Sequence, residues 1–484
     1  MVIIGSLLVM LMLEGMCTAA EPTPGDPLAA EREMPPDTVP PEQPAGPQPL
    51  SKARQQLREM DRRLNVLENL MVGRGHGRGV MERGLGWSPE HEERGFALYS
   101  TDGRYRLHLN GGIQTQYNAF PRSRSSQDPG TAPDGFEFRR VRPILDFRIA
   151  NYLRGQIMPD LAPRRRSELY NAFVDWDYYE WARVRIGLFK PALSLEKLQG
   201  EFDLIFAERS LVQNFVPFRD FGVQLTGSGF QRHIRYDLGV FNGSPQAIGP
   251  ANFGAPSTDN NKHLLVRLMA TPFLLRGPRA LRQLQIGVGV MYGAFSNTAG
   301  QQPMLTMGQD RTIFQYRDTV TGDGFHTRVV PQMMWFWGRL GVTSLFVHTW
   351  EPKRDMVTGN SAVLQHEAFV VQGQFLLTDD EASYNRVTPK HPFDLTKPGA
   401  WGAWELAARY SQQRLDPEVF ALNFSDSTQF AQMTKAFSAA LNWYLNRELR
   451  LQCIWEHSDF KGANSSYSAS GTDDVVISRF TILY

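Results

Sequence analysis

Three observations predict an all-β chain that crosses a membrane as a closed antiparallel barrel of about sixteen strands. Polar and apolar residues alternate with period two over segments of about ten residues, from Gly95 to the carboxyl end. The last eleven residues, Asp474 to Tyr484, form such a segment, with Val476, Ser478, Phe480, Ile482 and Tyr484 on one row. Between the segments, long and short connections alternate, as in a barrel with short turns at one rim and longer loops at the other. A strand shows alternate side chains to opposite faces, so one row can meet lipid while the other lines an enclosed polar interior. A soluble sandwich also alternates, but its strands are shorter, about five or six residues.

The amino-terminal part reads differently. Val2 to Leu13 is a short apolar run followed by Thr18-Ala19-Ala20, which predicts a secretory signal over 1–20 with cleavage near Ala20. No basic residue precedes the run and Glu14 interrupts its end, so a lipoprotein leader ending at Cys17 stays open, with Met16 a poor residue before it. Proline recurs about every third residue over 21–49, an extended, disordered spacer. Leu50, Leu57, Leu64 and Met71 are seven apart, with Ala53, Met60 and Leu67 three residues after the first three. That seam predicts a short coiled-coil helix over 50–72, with a lone amphipathic helix as the alternative. A Gly/Arg-rich linker over 73–94 leads into the barrel, 95–484.

Within the barrel the predicted strands run 104–118, 136–149, 152–161, 168–178, 181–189, 221–228, 233–242, 263–272, 283–293, 326–337, 339–350, 365–377, 401–412, 435–444, 448–459 and 474–484. An even number with alternating connections places both termini on the periplasmic side of an outer membrane of the Gram-negative type. Two connections break the rhythm: a short external link at 162–167 and a long periplasmic one at 378–400. The third long connection, near 190–220, is among the longest.

Composition narrows the classes. Of 484 residues 42% are hydrophobic and 11% aromatic, and the mean hydropathy is −0.35. After the amino terminus no run of about twenty apolar residues occurs, so helical spans are not expected. With 51 Lys and Arg against 50 Asp and Glu, the net charge is +1, which argues against a nucleic-acid partner. Any anion preference must therefore come from local arrangement. Cys17 and Cys453 are the two cysteines, so there is no disulfide framework.

Several motifs then resemble one family. Phe136-Glu137-Phe138-Arg139-Arg140-Val141-Arg142 is similar to the FxxRRxR second strand of phosphate-selective porins O and P. Val184 to Pro191 resembles that family's VxxGxxKxP entry to the constriction loop, and Glu208-Arg209-Ser210 and Arg219 to Val223 resemble its ERS and RxxGV elements. Gly402 to Ser411, Asn442 to Asn446 and Arg479-Phe480 complete the likeness, which covers 95–484 in order. The resemblance implies a homotrimeric outer-membrane barrel that passes phosphate or similar small anions along pore-lining Arg and Lys. In sixteen-stranded porins generally, the third external loop folds into the lumen, which points to 190–220.

A channel that selects anions replaces part of their hydration with positive charge, and arginine's planar fork matches two phosphate oxygens. Arg140, Arg142 and Arg148 share a parity opposite Val141, Leu145, Phe147 and Ile149, so they face the lumen if the apolar row meets lipid. Arg154, Arg183 and Arg185 extend the track, Lys190 and Arg209 bracket the loop, and Arg219 closes it. Arg139 falls on the other parity, which suggests a bulge and leaves its facing open. Lys190 reaches the lumen provided the chain has already turned into the loop. The bland alternative is a general pore, because Asp146, Asp160, Asp175, Asp177, Glu196, Glu201, Asp203 and Glu208 lie close in sequence to the basic set. A transverse field of paired charges orients water without choosing an anion.

No G-x-S-x-G elbow, P-loop or H-E-x-x-H helix occurs, and neither an enzyme, a cofactor nor a metal is expected. Glu90-His91-Glu92-Glu93 reads as a solvated linker and His457 as a packed strand histidine. A second function class stays open: a structural tether, in which residues 50–72 contact the cell wall and the barrel is the lipid anchor.

Overall fold

The computed structural model describes residues 95–484 except 103, 122–133, 151, 163–167, 180, 244–259, 297–303, 306–311 and 464–470. The signal, spacer, coiled coil and linker expected over 1–94, and most of the link at 162–167, lie outside the described residues.

Sixteen strands form the wall. They are β2 (Tyr105–Ala119), β3 (Gly135–Ile149), β4 (Leu153–Asp160), β5 (Glu168–Tyr179), β6 (Ala182–Phe189), β7 (Asp220–Gly229), β8 (Ile234–Phe241), β9 (His263–Ala270), β10 (Gln285–Ser296), β13 (Val320–Trp337), β14 (Leu340–Asp355), β15 (Ser361–Leu376), β16 (Ala403–Arg414), β17 (Met433–Tyr444), β18 (Leu449–Lys461) and β19 (Gly471–Leu483). Each pairs antiparallel with the next, and β19 closes the barrel on β2 from Val476↔Ala119 to Leu483↔Gly112. Tyr484 and Gly111 exchange both backbone hydrogen bonds at the closing seam, at 3.0 and 3.1 Å. A short strand, β1 (Phe96–Tyr99), pairs with the first half of β2, and β11 (Met304–Leu305) and β12 (Thr312–Phe314) make a small hairpin in the connection before β13. Closure leaves the wall without an edge, which is what a β structure in lipid requires.

The outward rows are apolar, and their side chains range from half-buried to exposed. On β3 they are Val141, Leu145, Phe147 and Ile149, and on β9 Leu264, Val266 and Leu268. Aromatics gather at the short-turn rim, where the rings of Trp404 and Trp443 stack 5.0 Å apart beside Trp401, and Trp181 stacks on Tyr179 at 5.3 Å. Such a girdle sits where a membrane meets water.

The inner face departs from the expected polarity on one side. β2 to β7 and β16 to β19 turn polar side chains inward, but β13 to β15 present Val330, Met334, Leu345, Val347, Leu364 and Val370. These rows are dry because the connection between β6 and β7 packs on them in one apolar cluster. The long connection at 378–400 is also folded inward in part: Ala382, Tyr384 and Val387 are buried in that cluster.

Candidate functional site

The connection 190–219 does not stand out from the rim. β6 is eight residues long, so the chain leaves the wall part-way along it and turns inside. One stretch is apolar: Leu193, Leu195, Leu211, Val212, Phe215 and Val216 are buried against the β13–β15 side. The wall also hydrogen-bonds its backbone there, with Leu195 N–H donating to Gln332 Oε1 at 2.7 Å and Gln332 Nε2 donating to Leu193 carbonyl at 3.0 Å. Gly289 faces this turn; a side chain there would collide with the Leu193 carbonyl.

A short helix, α1 (Leu195–Leu198), starts where Ser194 Oγ caps Lys197 N–H at 3.2 Å. Glu196 turns back to accept Ser210 N–H at 2.7 Å and Ser210 Oγ at 2.6 Å. Those two bonds tie the two ends of the loop together. Tyr384, from the 378–400 connection, donates its hydroxyl to the Leu195 carbonyl, and its own carbonyl accepts from Gln199.

The second stretch, 199–209, is held by charge. Glu201 stands 3.2 Å from Arg142, 3.1 Å from Lys190 and 3.3 Å from both Arg209 and Arg219. Burial alone would raise its carboxyl, but Lys190, Arg219, Arg209 and Arg142 outweigh that and hold it well below the glutamate range. Glu208 meets Arg140 at 2.6 Å and Arg139 and Arg479 at 2.8 Å, with the same result. The carbonyls between them are taken by the opposite wall. Arg450 donates to Phe202 and Leu204 at 2.9 and 3.0 Å, Asn442 to Ile205 at 3.0 Å, and Arg409 to Glu208 at 2.7 Å.

Each residue of the expected track can now be placed. Arg140, Arg142 and Arg148 are on the inward side of β3. The register shifts between Gln114 and Thr115 of β2, so β3 bulges and Arg139 turns inward beside Arg140. Arg142 pairs with Asp160 at 2.8 Å as well as Glu201, Arg154 with Asp177 at 2.7 Å, and Arg185 with Asp175 at 2.6 Å. Lys190 has turned into the loop, where its ammonium also donates to the Gln199 carbonyl at 3.0 Å. Arg209 and Arg219 are buried in the loop, and Arg219 and Arg142 flank the Tyr170 ring at 4.5 and 4.1 Å. Arg183 lies near the short-turn rim on β6.

Besides Arg409, Arg450 and Arg479, four further cations near this group were not on the expected track. Arg106 is opposite Arg148, and Arg235 and Arg267 lie inward on β8 and β9. The fourth, Lys197, is buried on α1 over the Phe218 ring at 4.5 Å, and among the described residues no carboxylate is within ion-pair distance of its ammonium. Burial, reinforced by Arg209 and Arg219, pulls its pKa well below the ordinary lysine value. The Ser194-Leu195-Glu196-Lys197 string could have shown a capped turn carrying a cation.

A closed sixteen-stranded wall, apolar outside and folded around its own loop, is an outer-membrane porin. The sequence model of the phosphate-selective porin O and P family matches residues 108–479, and the chain belongs to that family. A search of curated proteins finds no match. Among solved structures, the outer membrane channel DcaP of Acinetobacter baumannii matches with a TM-score of 0.51 at 10% identity, covering 81% of this chain and 99% of that one. The anion-selective porin from Comamonas acidovorans gives 0.47 at 10% identity, with 78% and 100% covered. OmpT of Vibrio cholerae, in its trimer form, gives 0.48 at 9% identity, with 78% and 99% covered.

Proposed function

We propose that the protein is a passive diffusion channel for small anions of the phosphate type, with the loop 190–219 as its constriction. It sits as a homotrimer in the outer membrane of a Gram-negative-type cell, both termini toward the periplasm. The observation that carries this reading is Lys197. Within a loop whose Glu201 and Glu208 are each ringed by cations, this buried ammonium lies over the Phe218 ring with no carboxylate within ion-pair distance among the described residues, and so adds positive charge beside the path of an anion. The inward arginines Arg140, Arg142, Arg148, Arg154, Arg183, Arg185, Arg209 and Arg219, with Lys190 and Arg139, set a positive potential along the approach. Selectivity arises without energy coupling, because binding must be weak enough for release.

A second reading has its own support. Most of these arginines are paired at 2.6–3.3 Å, which is what a general pore with a transverse field would hold. Block of chloride current by inorganic phosphate in planar bilayers separates the two. Millimolar phosphate reduces the wild-type current and reduces that of Lys197→Gln less. No block at that concentration leaves a general porin. The tether role of residues 50–72 is tested by deleting 21–90, which leaves conductance intact and detaches the envelope if cell-wall contact is their task.

A further inference from the structure

The outer wall turns polar at one end of one flank. Over β16 to β18 the outward rows run in register from the Trp404–Trp443 stack, through Leu406, Leu441 and Cys453, to Tyr410, Phe437 and His457. Tyr410 packs on Phe369 of β15 at 5.7 Å and Phe437 on Trp455 at 5.9 Å, which makes a second aromatic belt at the far end of the apolar band. Beyond it the outward residues are charged. Gln412, Lys435 and Asp459 form the next row, and Arg414, Met433 and Lys461 the one after. On β8 and β9, by contrast, the outward row stays apolar to its long-loop end at Val240 and Leu264.

Height decides what this patch meets. From Trp404 to Arg414 the strand covers about 34 Å, and at a tilt near 40° that is roughly 26 Å in height, close to the apolar band of such barrels at about 25 Å. The cations therefore stand where hydrocarbon gives way to lipid headgroups. Arg414 and Lys461 are exposed and Lys435 is half-buried, and all three surround Met433 on adjacent strands. Among the described residues none of the three is in an ion pair, although Glu367 lies directly across from Arg414 and Asp459 from Lys435. Glu367 turns instead to His348 at 3.2 Å. On the inner wall the same cross-strand geometry closes, with Arg185 meeting Asp175 at 2.6 Å. Long stems lying over apolar wall with unpaired positive heads at headgroup height are complementary to lipid phosphate.

We propose that Arg414, Lys435 and Lys461 bind the phosphates of the outer-leaflet glycolipid and hold that lipid against the β16–β18 flank. This rests on the orientation proposed above, with the long loops facing out of the cell, and not on the ion preference of the lumen. Arg414 and Met433 are the two feet of the connection 415–432, whose Val419 and Phe424 join the inner apolar cluster. Lipid held at those feet steadies a loop that roofs the barrel.

The test titrates the full-length protein in dodecyl maltoside with diphosphoryl lipid A and reads bound lipid by native mass spectrometry. Lys435→Gln weakens binding about fivefold, the scale of one basic residue beside an anionic lipid surface. The triple change Arg414→Gln, Lys435→Gln and Lys461→Gln weakens it more than twentyfold, while binding of phosphatidylcholine stays as in the wild type. Heat-modifiable gel migration and an unchanged chloride conductance verify that the variants fold. A triple variant that binds lipid A within twofold of the wild type refutes the site. Displacement of the lipid by millimolar inorganic phosphate makes it a site for free phosphate and overturns the lipid assignment. A triple variant that falls apart into monomers makes the patch a seam between copies, with the same consequence. Orientation is read separately, by an impermeant maleimide on intact cells carrying Glu418→Cys. Labelling above the wild-type background is expected; labelling only after the cells are opened places the patch in the inner leaflet and overturns the proposal even where lipid A binds in detergent.

Discussion

The two flanks of the 190–219 loop are held in place by opposite physics. Around Leu211, Val212 and Phe215 the loop is a piece of hydrophobic core, packed on a wall that gave up its polar lining to receive it. Around Glu201 and Glu208 it is an ionic joint, two carboxylates gathering seven cations. The apolar flank can only position. The ionic flank positions and also sets the field, and it leaves Lys197 beside Arg209 and Arg219 with no carboxylate within ion-pair distance among the described residues. On the proposed reading, a loop pinned on both sides narrows the channel without closing it, and the charge that an anion meets is decided on one side.

That contrast can be broken at either flank. The largest effect is expected at Glu201. Glu201→Gln leaves buried Lys190, Arg209 and Arg219 without their carboxylate and Arg142 with Asp160 alone, which costs about 3–5 kcal/mol; the heat-modifiability midpoint falls and chloride preference rises together. On the apolar flank, Leu211→Ala costs roughly 2–5 kcal/mol through the cavity it leaves. Conductance becomes noisier there, and the zero-current potential stays at the wild-type value. A selectivity change as large as that of Glu201→Gln would erase the distinction between the flanks.

Acid separates them without mutation. The folded pKa values of Glu201 and Glu208 are depressed, so their stabilisation is complete above the ordinary glutamate range, about 4.3, and is lost as pH falls toward the depressed values. Amide exchange should therefore quicken over 200–209 before 211–216. Equal protection at both flanks down to unfolding would contradict this. The smallest effect is at alkaline pH. Lys197 loses its proton below the ordinary lysine range, so chloride preference declines as pH rises toward that range. Lys197→Arg should remove that slope, since a guanidinium keeps its charge.

Much of the wall was legible because period-two patterning depends on neighbours in sequence: each segment read as a strand has a strand over it, and the bulge at Arg139 showed as a slip in parity. The dry inner face of β13 to β15 was not legible. Val370 and Leu376 lie on the parity opposite the outward row, and the cluster they join draws on a loop more than a hundred residues away. The same limit applies to the site. Arg142 and Arg219 could be named from local parity, but that both converge on Glu201 is a fact of folding. Arg235 and Arg267 were passed over because each is a lone cation in a short strand, and register alone brings Asp237 between them.

The most direct measurement is the zero-current potential of the wild-type channel in a planar bilayer under a potassium chloride gradient. A potential of the sign set by chloride flow, shrinking in Lys197→Gln, is what the loop's electrostatics require. A potential of the sign set by potassium flow would contradict them, however well the barrel and its loop are folded.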